Sequence, residues 1–421
     1  MKTKGCFYRI GKQRGATAVV VAVSLLVLIG FAALAIDLGY LYVVKNELQN
    51  AADAGALAGA KALYNEDGTE VNPGANQAAL DLVTANYSEK FRVEIESIDR
   101  GHWSFATKTF TPNNSLLPVD LWYLSTEELD ANTDFINAVR VITKRKTTGQ
   151  NGGHEEPFLA KIFGISGPSL TATAVAYIGF AGTIETGEAD QPIAICEENL
   201  LQNGKYSCSV GRMMNSGKSA NSQITGETGG WTDFNQVEPC KGGTNADKLK
   251  DLLDACSGNP NPLVFGQNLA THGGEAEPAL KRLESCWIKN TDLDGNGTPD
   301  QPWKVTLPVI QCNNENPGPC NKMTGVVEVN IIWIQVKKDT KYENVPKTMG
   351  SYWDGSAITD GALRWKDFAD HFKLKNKDGE TDASYLDNTI YFLPDCNVHK
   401  PTGGTGGKNF GILAENPVLV K

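Results

Sequence analysis

Acidic residues are missing from the first fourteen positions, and charge of either sign is missing from residues 16–36. The first gap is filled by Lys2, Lys4, Arg9, Lys12 and Arg14. The second is an unbroken apolar run. As a helix rising about 1.5 Å per residue it reaches about 31 Å, the thickness of a hydrocarbon core of about 30 Å. Basic residues ahead of such a run stay in the cytoplasm, and the chain beyond it crosses the membrane. Ala33-Leu34-Ala35 has the form of a signal-peptide cleavage site, which is the competing reading. The run is longer than a signal core, and LGYLYVV continues it with two interface-type tyrosines, so a retained anchor is favoured.

Cysteine is nearly absent from the first 195 residues, where only Cys6 occurs, on the cytoplasmic side. The other eight are Cys196, Cys208, Cys240, Cys256, Cys286, Cys312, Cys320 and Cys396. An even set confined to the C-terminal part reads as four disulfides in an oxidising compartment. Eight cysteines allow 105 pairings, so connectivity stays open. Pairing near neighbours would join Cys312 to Cys320 and Cys196 to Cys208. Zinc is disfavoured: C-x-x-C does not occur, and Cys396-Asn-Val-His399 supplies half a site.

Signatures of catalysis are missing too. There is no G-x-S-x-G, H-E-x-x-H or C-x-x-C-H. The histidines (His102, His154, His272, His371 and His399) are scattered, none with a carboxylate or second histidine at ligand spacing. Acids are plentiful, but no spacing singles out a glycosidase-type pair. RMMNSGKS, residues 212–219, imitates a phosphate-binding loop, yet Arg212 stands where the first glycine belongs and no helix signal comes after it. Taking the five N-terminal cations from 39 basic residues leaves 34 against 49 acidic ones. An acidic body argues against nucleic acid as a partner, because phosphate binding is driven by Lys/Arg charge. Trp231, Trp287, Trp333, Trp353 and Trp365 could form a sugar-stacking or adhesive surface, but a disulfide-braced core is the favoured use.

What is present sorts the 421 residues into an α+β protein. Residues 1–14 form a cytoplasmic basic tail, 15–64 a single transmembrane helix continuing into a stalk helix, 65–181 a small α+β unit, and 182–421 a Cys-rich exported α+β domain. In the small unit, the spacing predicts a helix over 76–89 and one strand from FRVEIESI. HWSFATKTF is expected as a second strand after Arg100-Gly101, then FINAVRVITKR and LTATAVAYIGF, with PFLAKIFG helical and an inserted helix over 121–129. In the last domain, helices are expected over 246–255 and 275–286. TGVVEVNIIWIQVKK is expected as a central strand and PTGGTGGKNF as a flexible loop.

Two local patterns point to function. In TDLDGNGTPD, Asp292, Asp294, Asn296, Thr298 (through its carbonyl) and Asp300 occupy positions 1, 3, 5, 7 and 9 of a Ca²⁺ loop, with Gly297 at the sharp turn. The glutamate of a full EF-hand is absent, as in the short calcium loops of exported modules, so a structural Ca²⁺ is expected. A plain Asp/Asn/Gly turn is the alternative. In NELQNAADAGALAGAKAL, residues 46–63, half the side chains are Ala or Gly. Ala52, Gly55, Ala56 and Gly59 lie at i, i+4 spacing, with Asp53 among them. That stripe suits close helix packing, either on the chain's own strands or on a partner helix.

Three pieces together resemble the Tad/Flp pilus-assembly TadG-like family. They are Arg14-Gly15-Ala with its apolar run and IDLGYLYVVKNELQNAADAGALAGA; the strand Asn137-Ala-Val-Arg-Val-Ile; and KIFG followed by LTATAVAYIG. The resemblance covers about residues 14–180. It implies a non-enzymatic, single-pass component of the bacterial inner membrane whose C-terminal domain is periplasmic or surface-exposed, with other pilus-assembly proteins or pilins as partners. Two family features are absent. Glu is missing from the fifth position after Gly15, so prepilin-type processing is not implied, and there is no D-x-S-x-S metal site of a von Willebrand A domain, only Asp354-Gly-Ser356-Ala. The alternative is an exported carbohydrate-binding, adhesive or hydrolytic module on a membrane anchor.

Overall fold

The computed structural model describes residues 14–421 except 66–67, 69, 89–90, 122–123, 146–168, 203–204, 207–211, 216–228, 237–238, 241, 274–276, 313–316, 339, 375–384 and 386. A single helix, α1 (Arg14–Lys61), carries both the apolar run and the Ala/Gly stretch. It meets no proline or helix-breaking turn before residue 62. Its halves differ. From Val19 to Leu38 the large side chains are bare, whereas Val44, Leu48, Ala51, Ala52, Ala56 and Ala60 are fully buried.

The second half of α1 lies on helix α2 (Ala75–Ala85) and on an antiparallel sheet. The sheet holds β1 (Glu94–Ser104), β2 (Thr109–Pro112), β3 (Ala138–Arg145) and β4 (Leu170–Tyr177). The order is β4-β3-β1-β2, and the C-terminal strand Val418–Leu419 adds to the free edge of β4. Alternation along β3 aims Val139 and Val141 at α1 and α2, while Ala138 joins Trp103, Val175 and Tyr177 on the opposite face. Asn137 closes the end of β3. Its Oδ1 accepts from the Trp103 backbone N–H at 2.6 Å and its Nδ2 donates to the Trp103 carbonyl at 3.1 Å, so one side chain imitates a ladder step.

Several expected boundaries move. α2 stops at Ala85, and Tyr87–Ser88 turns back to pair with Phe91–Arg92. The hairpin does not turn at Arg100-Gly101: β1 runs through to Ser104, and the turn is FATK, with Lys108 at φ 55°. The inserted helix is α3 (Thr126–Ala131), shorter and later than expected and held by a Ser125/Glu128 capping box. The KIFG segment lies outside the described residues.

The C-terminal part is built on a closed strand ring. Its members are β5 (Ile193–Cys196), then β7 (Gly229–Thr232), β8 (Asn268–His272), β9 (Trp303–Gln311) and β10 (Cys320–Gln335), with β6 (Arg212–Asn215) lying outside the ring. Hydrogen bonding runs β10-β8-β7-β5-β9 and back to β10. The expected central strand is therefore β10, extended upstream to Cys320. It pairs with β9 along one edge and with β8 and then β11 (Thr389–Val398) along the other, and β6 extends the sheet beyond β11. Arg212, the first residue of the loop-like RMMNSGKS, is thus in a strand; residues 216–219 of that motif lie outside the described residues. Helix α4 (Ala246–Ala255) matches its expected bounds, and α5 (Glu277–Thr291) runs about a turn longer than expected.

The tryptophans are core. Trp231, Trp287, Trp333, Trp353 and Trp365 are all buried, and Trp333 stacks on Tyr391 at 5.3 Å beside Trp365 and Phe368 of α6 (Gly361–His371). The disulfides are Cys196–Cys312, Cys240–Cys320 and Cys256–Cys286, and Cys396 is also disulfide-bonded. Near-neighbour pairing is overturned for Cys196, Cys312 and Cys320, because β5 lies beside β9 and brings Cys196 to Cys312, while Cys320, paired with Ala270 in the sheet, is bonded to Cys240. Cys208 lies outside the described residues.

The Gly-rich PTGGTGGKNF is packed rather than flexible. A side chain on Gly403 would meet the Thr183 carbonyl, and one on Gly407 would meet that of Ala181. From there the chain returns to the first unit: Ala414 N–H donates to Gly179, Asn409 reaches Leu121 and Leu124, and Lys61 pairs with Glu415 at 3.1 Å. The last residues are shared between both units.

These contacts set the expected cost of three substitutions. In an ordinary helix Gly→Ala gains about 1 kcal/mol. A Cβ on Gly59 would lie 2.8 Å from Val139 Cγ1 and 3.0 Å from Ala79 Cβ, and one on Gly55 would meet Val83. Gly55→Ala and Gly59→Ala should each destabilise the chain by about 1–3 kcal/mol in denaturant unfolding, whereas Gly39→Ala, with open space around it, should not. Asn137→Ala strands the Trp103 backbone groups and should cost about 1–3 kcal/mol in the same assay.

Candidate functional site: a bare apolar helix and an acidic loop

α1 leaves the small unit as an isolated rod. The described part of this long apolar helix, residues 17–61, has a mean hydropathy of 3.0 in its most apolar window, of which 6% is buried. Leu26, Phe31 and Tyr42 are each more than two-thirds exposed. One stripe is covered from Ala33 onward, through Asp37, the half-buried Tyr40 and Val44 to Leu48, at the i, i+3, i+4 spacing of a helix face. Beside Val44 and Leu48, Lys45 Nζ donates to the Thr171 carbonyl, and Gln49 donates to Thr173 at 3.1 Å and to Asp53 at 2.8 Å. The bare length before it is long and apolar enough to cross a bilayer.

The small-residue stripe points the other way. Ala52 and Ala56 are fully buried, and Gly55 and Gly59 lie against Ala75, Ala79 and Val83 of α2 and Val139 and Val141 of β3. The partner of this face is the chain's own module. Asp53 sits at its edge, half-buried and bonded to Gln49.

Directly after α5, Asp292, Asp294 and Asp300 come together, one carboxylate oxygen of each lying within 4.8 Å of the others. Asp292 caps the turn, accepting N–H bonds from Gly295, Asn296 and Gly297 at 2.8, 3.1 and 2.8 Å. These bonds, that from Gly297 foremost, hold its carboxyl below the usual aspartate range. Asp300 accepts from Leu293 and Asp294 at 2.6 and 3.2 Å, and Gly297 adopts φ 82°. Asn296 Oδ1 accepts from the Thr298 N–H at 2.7 Å and from its hydroxyl. Three carboxylates gathered on a tight exposed loop are a donor set suited to a hard cation. A second cluster of metal-ligand types among the described residues, Cys196, Glu198 and Cys312, has its two cysteines in a disulfide and offers no thiolate.

Histidine chemistry was hidden from sequence spacing. His102 is buried between the carbonyls of Phe135 and Asp130, both at 2.8 Å. His399 lies between Glu188 and Glu328, 211 and 71 residues away. Strand pairing makes these neighbours, and no local motif announces them.

Residues 15–62 match the TadE/G-like Flp pilus-assembly family, and residues 58–176 match the Tad-like Flp pilus-assembly family. Over residues 15–176 this chain is similar to Tad/Flp pilus-assembly proteins. The two matches meet at the end of α1, so the Tad signature divides where the helix passes into the α2–sheet unit. No curated protein and no solved structure matches the chain. The barrel therefore lies in a part of the chain that no comparison covers.

Lysine at Leu25 and Leu28 together should remove the chain from the membrane fraction, because each charge near the middle of a span costs about 2.5–3.5 kcal/mol. Fractionation after alkaline extraction reads this, and a double variant that stays membrane-bound contradicts a spanning helix.

Proposed function

We propose that this chain is a non-enzymatic, single-pass component of a Tad/Flp-type pilus-assembly apparatus in the bacterial inner membrane. The N-terminus lies in the cytoplasm, and the module and barrel stand on the periplasmic side, where they contact pilins or other assembly proteins. The observation that carries this reading is the continuity of α1: one helix is bare and apolar for its first half and the core of the Tad module for its second. The N-terminal basic cluster supports the orientation, and the disulfides support an oxidising compartment. Burial of the tryptophans removes the aromatic surface on which a carbohydrate-binding reading rested.

The test is genetic and topological. A strain lacking the chain should lose surface pili and regain them with the full chain. A cysteine introduced at Leu117, which is 78% exposed, should label from the periplasmic side. Pili at normal levels without the chain, or a Leu117 site that labels only from the cytoplasm, contradicts the proposal.

Within that role the Asp292 loop would hold a structural Ca²⁺, with Asp292, Asp294 and Asp300 as carboxylate ligands and the ion bracing the passage from α5 to β9. Its charge would offset three gathered anions that are otherwise held only by N–H bonds. Affinity should be in the range of about 10⁻⁴–10⁻³ M typical of extracellular modules. Calcium should raise the melting temperature of the wild-type chain and leave Asp294→Ala unchanged. An identical response, or none, in both proteins rules the site out.

A further inference from the structure

The backbone passes between the Tad module and the barrel twice, outward through residues 182–192 and back through residues 399–404. Glu188 lies in the outward segment, His399 opens the returning one, and Glu328 stands beside them on β10. His399 Nε2 is 2.7 Å from Glu188 Oε1, and Nδ1 is 3.2 Å from Glu328 Oε1. Glu188 is bonded to the returning segment twice more, accepting from the Thr402 backbone N–H at 2.7 Å and from its hydroxyl at 3.2 Å. Lys304 of β9 pairs with Glu328 at 2.6 Å. Asp190 completes the charged surroundings and accepts from the Thr306 N–H at 2.6 Å. Three carboxylates and one ammonium thus face the imidazole.

A neutral imidazole has one N–H and one lone pair. With a carboxylate oxygen at each nitrogen, only the imidazolium donates to both, and the neutral ring would turn a lone pair toward an anion. Burial opposes charge on His399, but the bonds and charges of Glu188 and Glu328 outweigh it and hold the ring above the usual histidine value. Against their own burial both glutamates are held below their usual range, Glu188 by His399 and the backbone N–H groups of Glu185 and Thr402, Glu328 by Lys304 first and His399 next.

We propose that Glu188, His399 and Glu328 form a proton-operated clamp that fastens the returning segment to the barrel at the neck. Its contribution is fully present below the pKa of free histidine and is lost as pH rises through the elevated pKa of His399. Acid closes the clamp and alkali loosens it.

Hydrogen exchange of the full chain in detergent, corrected for intrinsic rate, is read at residues 182–192 and 399–404. Between about pH 6 and about pH 9, wild-type protection there should fall by about tenfold for each unit by which the His399 pKa exceeds that of free histidine. His399→Gln carries no titrating ring and should be equally weakly protected at both pH values. Wild-type protection that does not change, or a variant that tracks the wild type, overturns the clamp. A second measurement needs no folded variant: the ring of His399 in histidine-labelled wild-type chain should titrate above about 6.5 by NMR, and titration at or below that value overturns it.

Discussion

How near α1 comes to α2 and β3 sets the geometry of the N-terminal part. Helices bearing large side chains keep their axes about 8–10 Å from what they pack on. Here Gly55 and Gly59 bring the backbone of α1 to within contact of Ala75, Ala79 and Val139. A helix poor in large residues thereby builds a core, because many close contacts replace a few bulky ones. The same rod continues without a break into the apolar half, so the orientation of the module is fixed relative to that half.

The barrel depends on one long strand in a comparable way. β10 is long enough to serve β9 on one edge and both β8 and β11 on the other, which lets five strands close on themselves. Closure removes the sheet edges that would otherwise be open to pairing with other chains. The disulfides then join segments that closure has made neighbours, with Cys196–Cys312 spanning 116 residues. In the chain-entropy account, loops of this length give the larger stabilisation. Gly403 and Gly407 let the returning chain lie against residues 181–183, so the two units are joined by packing and not by a free linker.

Much of this is legible in the sequence where a signal is local. The uncharged run, the cluster of cysteines, the apolar length of β10, the amphipathic α4 and the alternating acids of the Asp292 loop are each contained in a short window. Boundaries that depend on pairing are less legible. Gly101 resembles a turn in isolation, but it pairs with Ala138 and Pro112 inside the sheet, and the turn falls on the less glycine-like FATK. PTGGTGGKNF has the composition of a flexible segment, and only its neighbours reveal that its glycines serve close approach.

By itself the sequence determined which residues could enter a bilayer, which periodicities would become helix or strand, and that its N-terminal part carries the Tad pattern, since each comes from the order of side chains along a few turns. Tertiary structure alone decided which cysteines are bonded, which way the Ala/Gly stripe faces, and that His399 meets Glu188 and Glu328. Those outcomes depend on contacts between segments tens to hundreds of residues apart, and such contacts are chosen by the strand order and helix placement of the whole chain.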